Sequence, residues 1–136
     1  MITAVDTTIL LDIVAAGAAF GRRSIDALRA ATQAGRIVAC DVVWAEFSAA
    51  YASPATAKEA LVTFGLDYDP VGPEAALHAG TAWRRYRAAG GPRTRVIADF
   101  LIASHALAQA DRLLTRDRGF YRRYFEDLVI IDPSKA

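Results

Sequence analysis

The chain has 136 residues, 54% of them hydrophobic and 23% charged, with a net charge of +1. That length is the size of one domain. The apolar content excludes a disordered chain and leaves surface for an oligomer or a constitutive partner. The single cysteine, Cys40, excludes an intramolecular disulfide and a cysteine-based metal site.

Residues 2–5 read as a strand buried on both faces, and residues 7–15 as a short helix stopped by Gly17. Asp6 and Asp12 interrupt the N-terminal apolar stretch, so the expectation is no signal peptide, no membrane span and a cytoplasmic location. Residues 23–34 follow as a helix stopped by Gly35, and residues 36–40 as a second strand. Asp41 is suited to cap a helix over 42–51, and Pro54 to open another reaching about Phe64. Residues 66–71 form a short strand that Pro70 restricts to a sheet edge. A helix over 74–88 places Ala76, Ala79, Trp83 and Tyr86 on one face, before the loop Gly90-Gly91-Pro92. Residues 97–110 are apolar nearly all round, which predicts a central helix. A strand over 112–115, a helical turn over 120–124 and a last strand over 128–131 complete the chain.

Strands alternating with helices predict one α/β domain spanning 1–136, a three-layer α/β/α sandwich on a mainly parallel sheet of four to five strands. In such folds ligands bind beyond the carboxyl ends of the strands, where strand order reverses. Asp6 and Asp117 each follow a predicted strand, and Glu46 and Asp99 lie early in predicted helices. Four acids brought to one place repel, and a divalent cation relieves that repulsion. Carboxylate oxygens without cysteine or histidine favour Mg²⁺ or Mn²⁺, which activates water and clamps a phosphodiester.

Arginine supplies 14 of the 16 cations, with five between Arg84 and Arg95 and five between Arg112 and Arg123. Arg93, Arg95, Arg116 and Arg118 neighbour the acids and are the candidate phosphate contacts. Asp12, Asp26, Asp41, Asp67, Asp69 and Asp111 read as surface, cap or turn residues, with Asp12 notable for its closeness to Asp6. His105 reads as structural. The tryptophans and tyrosines read as core or interface.

Four strings carry a family resemblance: Val5-Asp6-Thr7-Thr8, Ala45-Glu46, Ala98-Asp99-Phe100-Leu101-Ile102-Ala103 and Leu114-Thr115-Arg116-Asp117-Arg118-Gly119-Phe120. In this order and at these intervals, over the whole chain, they resemble a PIN-domain ribonuclease, and more narrowly a VapC-type toxin of a toxin–antitoxin pair. The resemblance implies Mg²⁺- or Mn²⁺-dependent endonucleolytic cleavage of structured RNA, such as transfer or ribosomal RNA. It also implies a cognate antitoxin and a homodimer, for which the helices around Trp44 to Phe64 are the favoured surface. Asp6, Glu46, Asp99 and Asp117 carry over as metal ligands or water-orienting groups, with Thr7, Thr8 and Thr115 supporting them by hydrogen bonds.

Each acid also has a plainer role: Asp6 a helix cap, Glu46 a solvated residue, Asp99 a partner of Arg95, Asp117 a turn former. A phosphoacceptor receiver needs a lysine at a late strand end, and Lys58 and Lys135 are misplaced for it. A haloacid-dehalogenase-type phosphatase needs an aspartate where Thr8 stands. The remaining alternative is a non-catalytic PIN-like module that binds RNA or protein.

Overall fold

The computed structural model describes residues 1–15, 19–92 and 95–135. The strands are β1 (Ile2–Val5), β2 (Arg36–Ala39), β3 (Asp67–Tyr68), β4 (Arg112–Leu114) and β5 (Ile130–Ile131). The helices are α1 (Thr7–Val14), α2 (Gly21–Ala34), α3 (Asp41–Ser48), α4 (Pro54–Thr63), α5 (Pro73–Ala88), α6 (Ile97–Gln109) and α7 (Arg118–Tyr124).

All four strand pairings are parallel, in the order β3-β2-β1-β4-β5. Ala4 pairs with Val38 on one side and Leu113 on the other, so β1 is central. Thr3, Ala4 and Val5 are buried because a central parallel strand is covered on both faces. The chain builds outward from β1 through β2 to β3, then crosses back to place β4 on the opposite side of β1. Strand order therefore reverses between β1 and β4, and the crevice of such a sheet opens there.

The three-layer sandwich with a parallel sheet is the architecture expected from the sequence. On the face carrying α5, α6 and α7, Tyr86, Phe100, Phe120, Tyr124 and Phe125 stack edge to face or tilted, with ring centroids 5.1–5.9 Å apart. The central helix α6 buries Phe100, Ile102, Ala103, Ser104, His105 and Ala106. Gly35 ends α2 against the N-terminus, where an added Cβ would lie 2.0 Å from the Met1 carbonyl oxygen. Only glycine permits this approach of β2 to β1.

Several boundaries differ from the sequence expectation. Cys40, not Asp41, caps α3; Asp41 is the first helical residue, and its carboxylate accepts from the Val71 amide at 3.1 Å. The strand expected over 66–71 shrinks to two residues, and that over 128–131 to two. Both lie at the sheet edges, where one neighbour instead of two supports the ladder. The turn over 120–124 begins two residues earlier, as α7. Gly17, expected to stop the first helix, lies outside the described residues.

Asp69 is not a plain surface residue. Its Oδ2 lies 2.8 Å from His105 Nε2 and accepts from Gln109 Nε2 at 3.1 Å. His105, only 1% exposed, is thereby the structural residue expected, tying the loop after β3 to α6. No helix is long and apolar enough to cross a membrane among the described residues.

Candidate active site

The β1 strand ends at Val5, and the next residue, Asp6, is 4% exposed. Its carboxylate is held from three sides. The Thr7 amide donates to Oδ1 at 2.7 Å, which makes Asp6 the cap of α1. Thr115 Oγ1 donates to Oδ2 at 2.7 Å, and the Tyr121 hydroxyl lies 3.3 Å from the same oxygen. Capping and pocket formation thus occur together at Asp6, since the first turn of α1 begins at the crevice.

Two threonines extend the arrangement. Thr7 Oγ1 donates to Glu46 Oε1 at 2.7 Å, bringing in the start of the second crossover through α3. On the other side of Asp6, Thr115 Oγ1 accepts from the Asp117 amide at 3.0 Å. Arg95 then spans Asp117 and Asp99: Nη1 and Nη2 donate to Asp117 at 2.5 and 3.1 Å, and Nη1 lies 3.8 Å from Asp99 Oδ1. Glu46, Thr7, Asp6, Thr115, Asp117, Arg95 and Asp99 therefore form one continuous polar chain across the carboxyl ends of β1 and β4. All four acids selected from the sequence belong to it.

Their surroundings differ. Glu46 is exposed on α3, the solvated position that its helix allowed, yet it reaches Thr7. Asp99 and Asp117 are half-buried. Burial pushes the Asp6 carboxyl up to about 6, against the Thr115 and Thr7 hydrogen bonds that favour its charged form; nearby Glu46 and Asp117 act with burial. Burial also raises the Asp99 carboxyl above its ordinary value, opposed by the Val96 amide and Arg95, while Asp117 adds to the rise. Burial, then Asp6 and the other acids, carry the Tyr121 hydroxyl well above 10, so it stays a donor.

Other expected participants fall elsewhere. Thr8 does not join the chain: its hydroxyl is buried without a partner among the described residues, one position further round α1 than Thr7. Arg116 faces away from the acids of the pocket. Its Nε and Nη2 donate to Asp12 at 2.5 and 2.9 Å, and its guanidinium lies 4.6 Å above the Phe20 ring. Asp12, read as surface, cap or turn from the sequence, is 8% exposed and also accepts from Ser24. Arg95 is likewise engaged with carboxylates, while Arg118 is half-buried and forms no ion pair among the described residues. Arg93 lies outside the described residues. Sequence reasoning missed Tyr121, although it sits one helical turn after Asp117 and bonds back to it through the backbone.

The donor set is oxygen only, which suits a hard divalent cation. Asp6 itself is a buried carboxyl with no cationic side chain on it among the described residues, and a bound divalent cation would offset its charge. The acids are not, however, drawn around a single point. Among the described residues no three Asp, Glu, His or Cys side chains converge to enclose one ion, and a guanidinium lies between Asp117 and Asp99.

A family model for the PIN domain matches residues 3–126. The chain belongs to the PIN domain family. Its PIN fold resembles VapBC-1 from nontypeable Haemophilus influenzae at 24% identity, covering 99% of this chain and 100% of that one, with a TM-score of 0.76. It also resembles VapBC2 from Rickettsia felis, solved bound to a DNA fragment from their promoter, at 19% identity over 97% and 98% of the two chains, TM-score 0.76. A toxin–antitoxin complex from Klebsiella pneumoniae is similar at 18% identity over 96% and 97%, TM-score 0.67. At these identities the likeness is one of fold. No curated protein sequence matches the chain.

Proposed function

We propose that this PIN domain is a metal-dependent endoribonuclease, the toxin of a VapC-type toxin–antitoxin pair, and that it cleaves structured RNA such as transfer or ribosomal RNA. The observation that carries the reading is the unbroken polar chain from Glu46 through Asp6 and Asp117 to Asp99 at the crevice of a PIN fold. Asp6, Asp99, Glu46 and Asp117 would hold Mg²⁺ or Mn²⁺, which when bound supplies an activated water and stabilises the leaving oxygen. Thr7 and Thr115 fix the direction of the Asp6 and Glu46 carboxylates, and the buried Tyr121 hydroxyl adds a contact to Asp6 Oδ2.

An RNA strand has cations to follow. Arg84, Arg87 and Arg95 line an open groove of about 790 Å³ beside Trp83, and Arg95 also meets Asp99 and Asp117. Together with Arg118 these side chains offer contacts to phosphate, which give affinity with little sequence readout. Apolar surface favours a protein partner as well. Leu11, Val14 and Val62 are exposed on α1 and α4, the helices flanking a groove of about 500 Å³ lined by Ile13, Ile25, Leu28 and Phe64. An antitoxin is the partner this reading implies, and a homodimer of the chain is its basic unit, in the cytoplasm.

Purified protein freed of partners should cut bacterial RNA at discrete positions with Mg²⁺ or Mn²⁺ and not with EDTA, as read by mapping 5′ ends. Cleavage that persists in EDTA contradicts the metal reading. Expression of the chain alone should arrest growth, and co-expression of the adjacent small open reading frame should relieve it; unimpaired growth at high expression removes the toxin role and spares the nuclease.

Thr115→Val keeps the shape of a fully buried side chain while removing the donor to Asp6 and the acceptor for the Asp117 amide. It is expected to weaken Mn²⁺ binding by roughly 10-fold or more, measured by titration calorimetry, with the circular dichroism spectrum unchanged.

The non-catalytic alternative has one feature in its favour, the guanidinium of Arg95 lodged among the acids.

A further inference from the structure

We propose that Arg95 is an internal cation of the acid pocket, which a divalent ion must displace before Asp117 can serve the site. The inference rests on the nuclease reading above. Among the described residues Arg95 is the one cationic side chain within ion-pair distance of any of the four acids. Its fork takes both oxygens of Asp117, at 2.5 and 3.1 Å, and the same guanidinium lies 3.8 Å from Asp99 and 4.2 Å above the centre of the Phe120 ring. Arg116, the other arginine next to Asp117 in sequence, is committed to Asp12.

A divalent ion approaching Asp117 and Asp99 would meet this positive charge at short range, and two cations on one carboxylate repel. Arg95 is placed to leave without disrupting the fold. It precedes α6, so its side chain can swing while the helix stays wound. It also lines the groove beside Trp83, Arg84 and Arg87, where solvent or an RNA phosphate would receive it. Occupancy of the acid pocket by metal and delivery of an arginine to the groove are then one movement.

The test measures Mn²⁺ affinity by titration calorimetry on wild type, Arg95→Gln and Arg95→Lys, with Asp6→Asn as the control for binding in this pocket. Arg95→Gln is expected to bind Mn²⁺ about 10-fold more tightly than wild type. Arg95→Lys, which keeps the charge without the fork, is expected to fall between them. In wild type, the Arg95 Nε–H resonance, assigned through its own side-chain carbon and nitrogen correlations, should shift on saturation with Mg²⁺, a readout that does not depend on how well the variants fold. Equal or weaker Mn²⁺ binding by Arg95→Gln, or an Arg95 resonance that stays in place at saturating Mg²⁺, overturns the proposal. If wild type binds Mn²⁺, Asp6→Asn does not and Arg95→Gln is unchanged, the displacement fails while the metal site stands. If no variant binds the ion, both fall.

Discussion

Asp6→Asn is expected to lower metal-dependent RNA cleavage by about 1,000-fold or more and, at the same time, to raise the melting temperature of the metal-free protein at pH 7. The two effects share one cause. Asp6 is buried without a cationic side chain on it among the described residues, and moving its proton affinity from the ordinary 3.8 to about 6 penalises the charged form by about 3 kcal/mol at neutral pH. An amide escapes that penalty but satisfies the Thr7, Thr115 and Tyr121 donors less well, so a gain of about 1–2 kcal/mol, or about 5 °C, is the expected net result.

The sign fixes the pH dependence. Because the folded-state value lies above the unfolded one, the folded protein binds the proton more readily, and the penalty is fully present above about pH 6. Acidification from pH 7 towards pH 4 removes it. Metal-free wild type should therefore gain stability from this group as pH falls through that window, and Asp6→Asn should lack that gain. Mg²⁺ should stabilise wild type at pH 7 and leave the variant unaffected. Melting curves at pH 7 and pH 5, with and without Mg²⁺, test all three statements. A variant less stable than wild type at pH 7 that retains full cleavage would remove Asp6 from the site.

The second large effect belongs to Arg116. Arg116→Ala is expected to cost about 3 kcal/mol of stability, roughly 10 °C in melting temperature, because it strands the Asp12 carboxylate in a site where, among the described residues, only the Ser24 hydroxyl remains to satisfy it. The double variant Asp12→Ala/Arg116→Ala should recover part of the loss, since neither charge is then left alone. RNA binding distinguishes this structural role from a phosphate contact. The slope of binding against salt concentration should not change in Arg116→Ala, whereas loss of a phosphate contact would lower it by about one. An unchanged melting temperature with a lower slope would restore Arg116 to the RNA surface.

Arg116 also marks what the sequence could and could not disclose. The parallel sandwich was legible because buried strands and an all-round apolar α6 leave a period that sequence carries directly. The four acids were legible because a carboxylate at a strand end or in an apolar helix demands compensation, and the structure does bring them into one polar chain. The partner of each arginine was not legible. Arg116 and Arg118 are alike in sequence context, but helix α1 carries Asp12 to Arg116 from 104 residues away, and only the crossing of α1 over the sheet decides that pairing. Asp69 and His105 are likewise joined by the return of the chain after β3, across 36 residues. Tyr121 was hidden for a related reason: a tyrosine on a short helix serves a core as readily as a carboxylate, and here it does both. Thr7 and Thr8, indistinguishable as neighbours, separate once α1 turns one towards Glu46 and leaves the other without a partner among the described residues.

The most direct measurement is an incubation of total bacterial RNA, in Mg²⁺ and in Mn²⁺, with purified wild type and with Asp99→Asn. Asp99 is half-buried at the start of α6 and contacts the Arg95 side chain and the Val96 amide, so the amide substitution changes its charge with little change of shape. Discrete metal-dependent cleavage by wild type and intact RNA with Asp99→Asn is the result predicted. Identical RNA patterns from the two proteins would contradict the assignment of this pocket as a nuclease site.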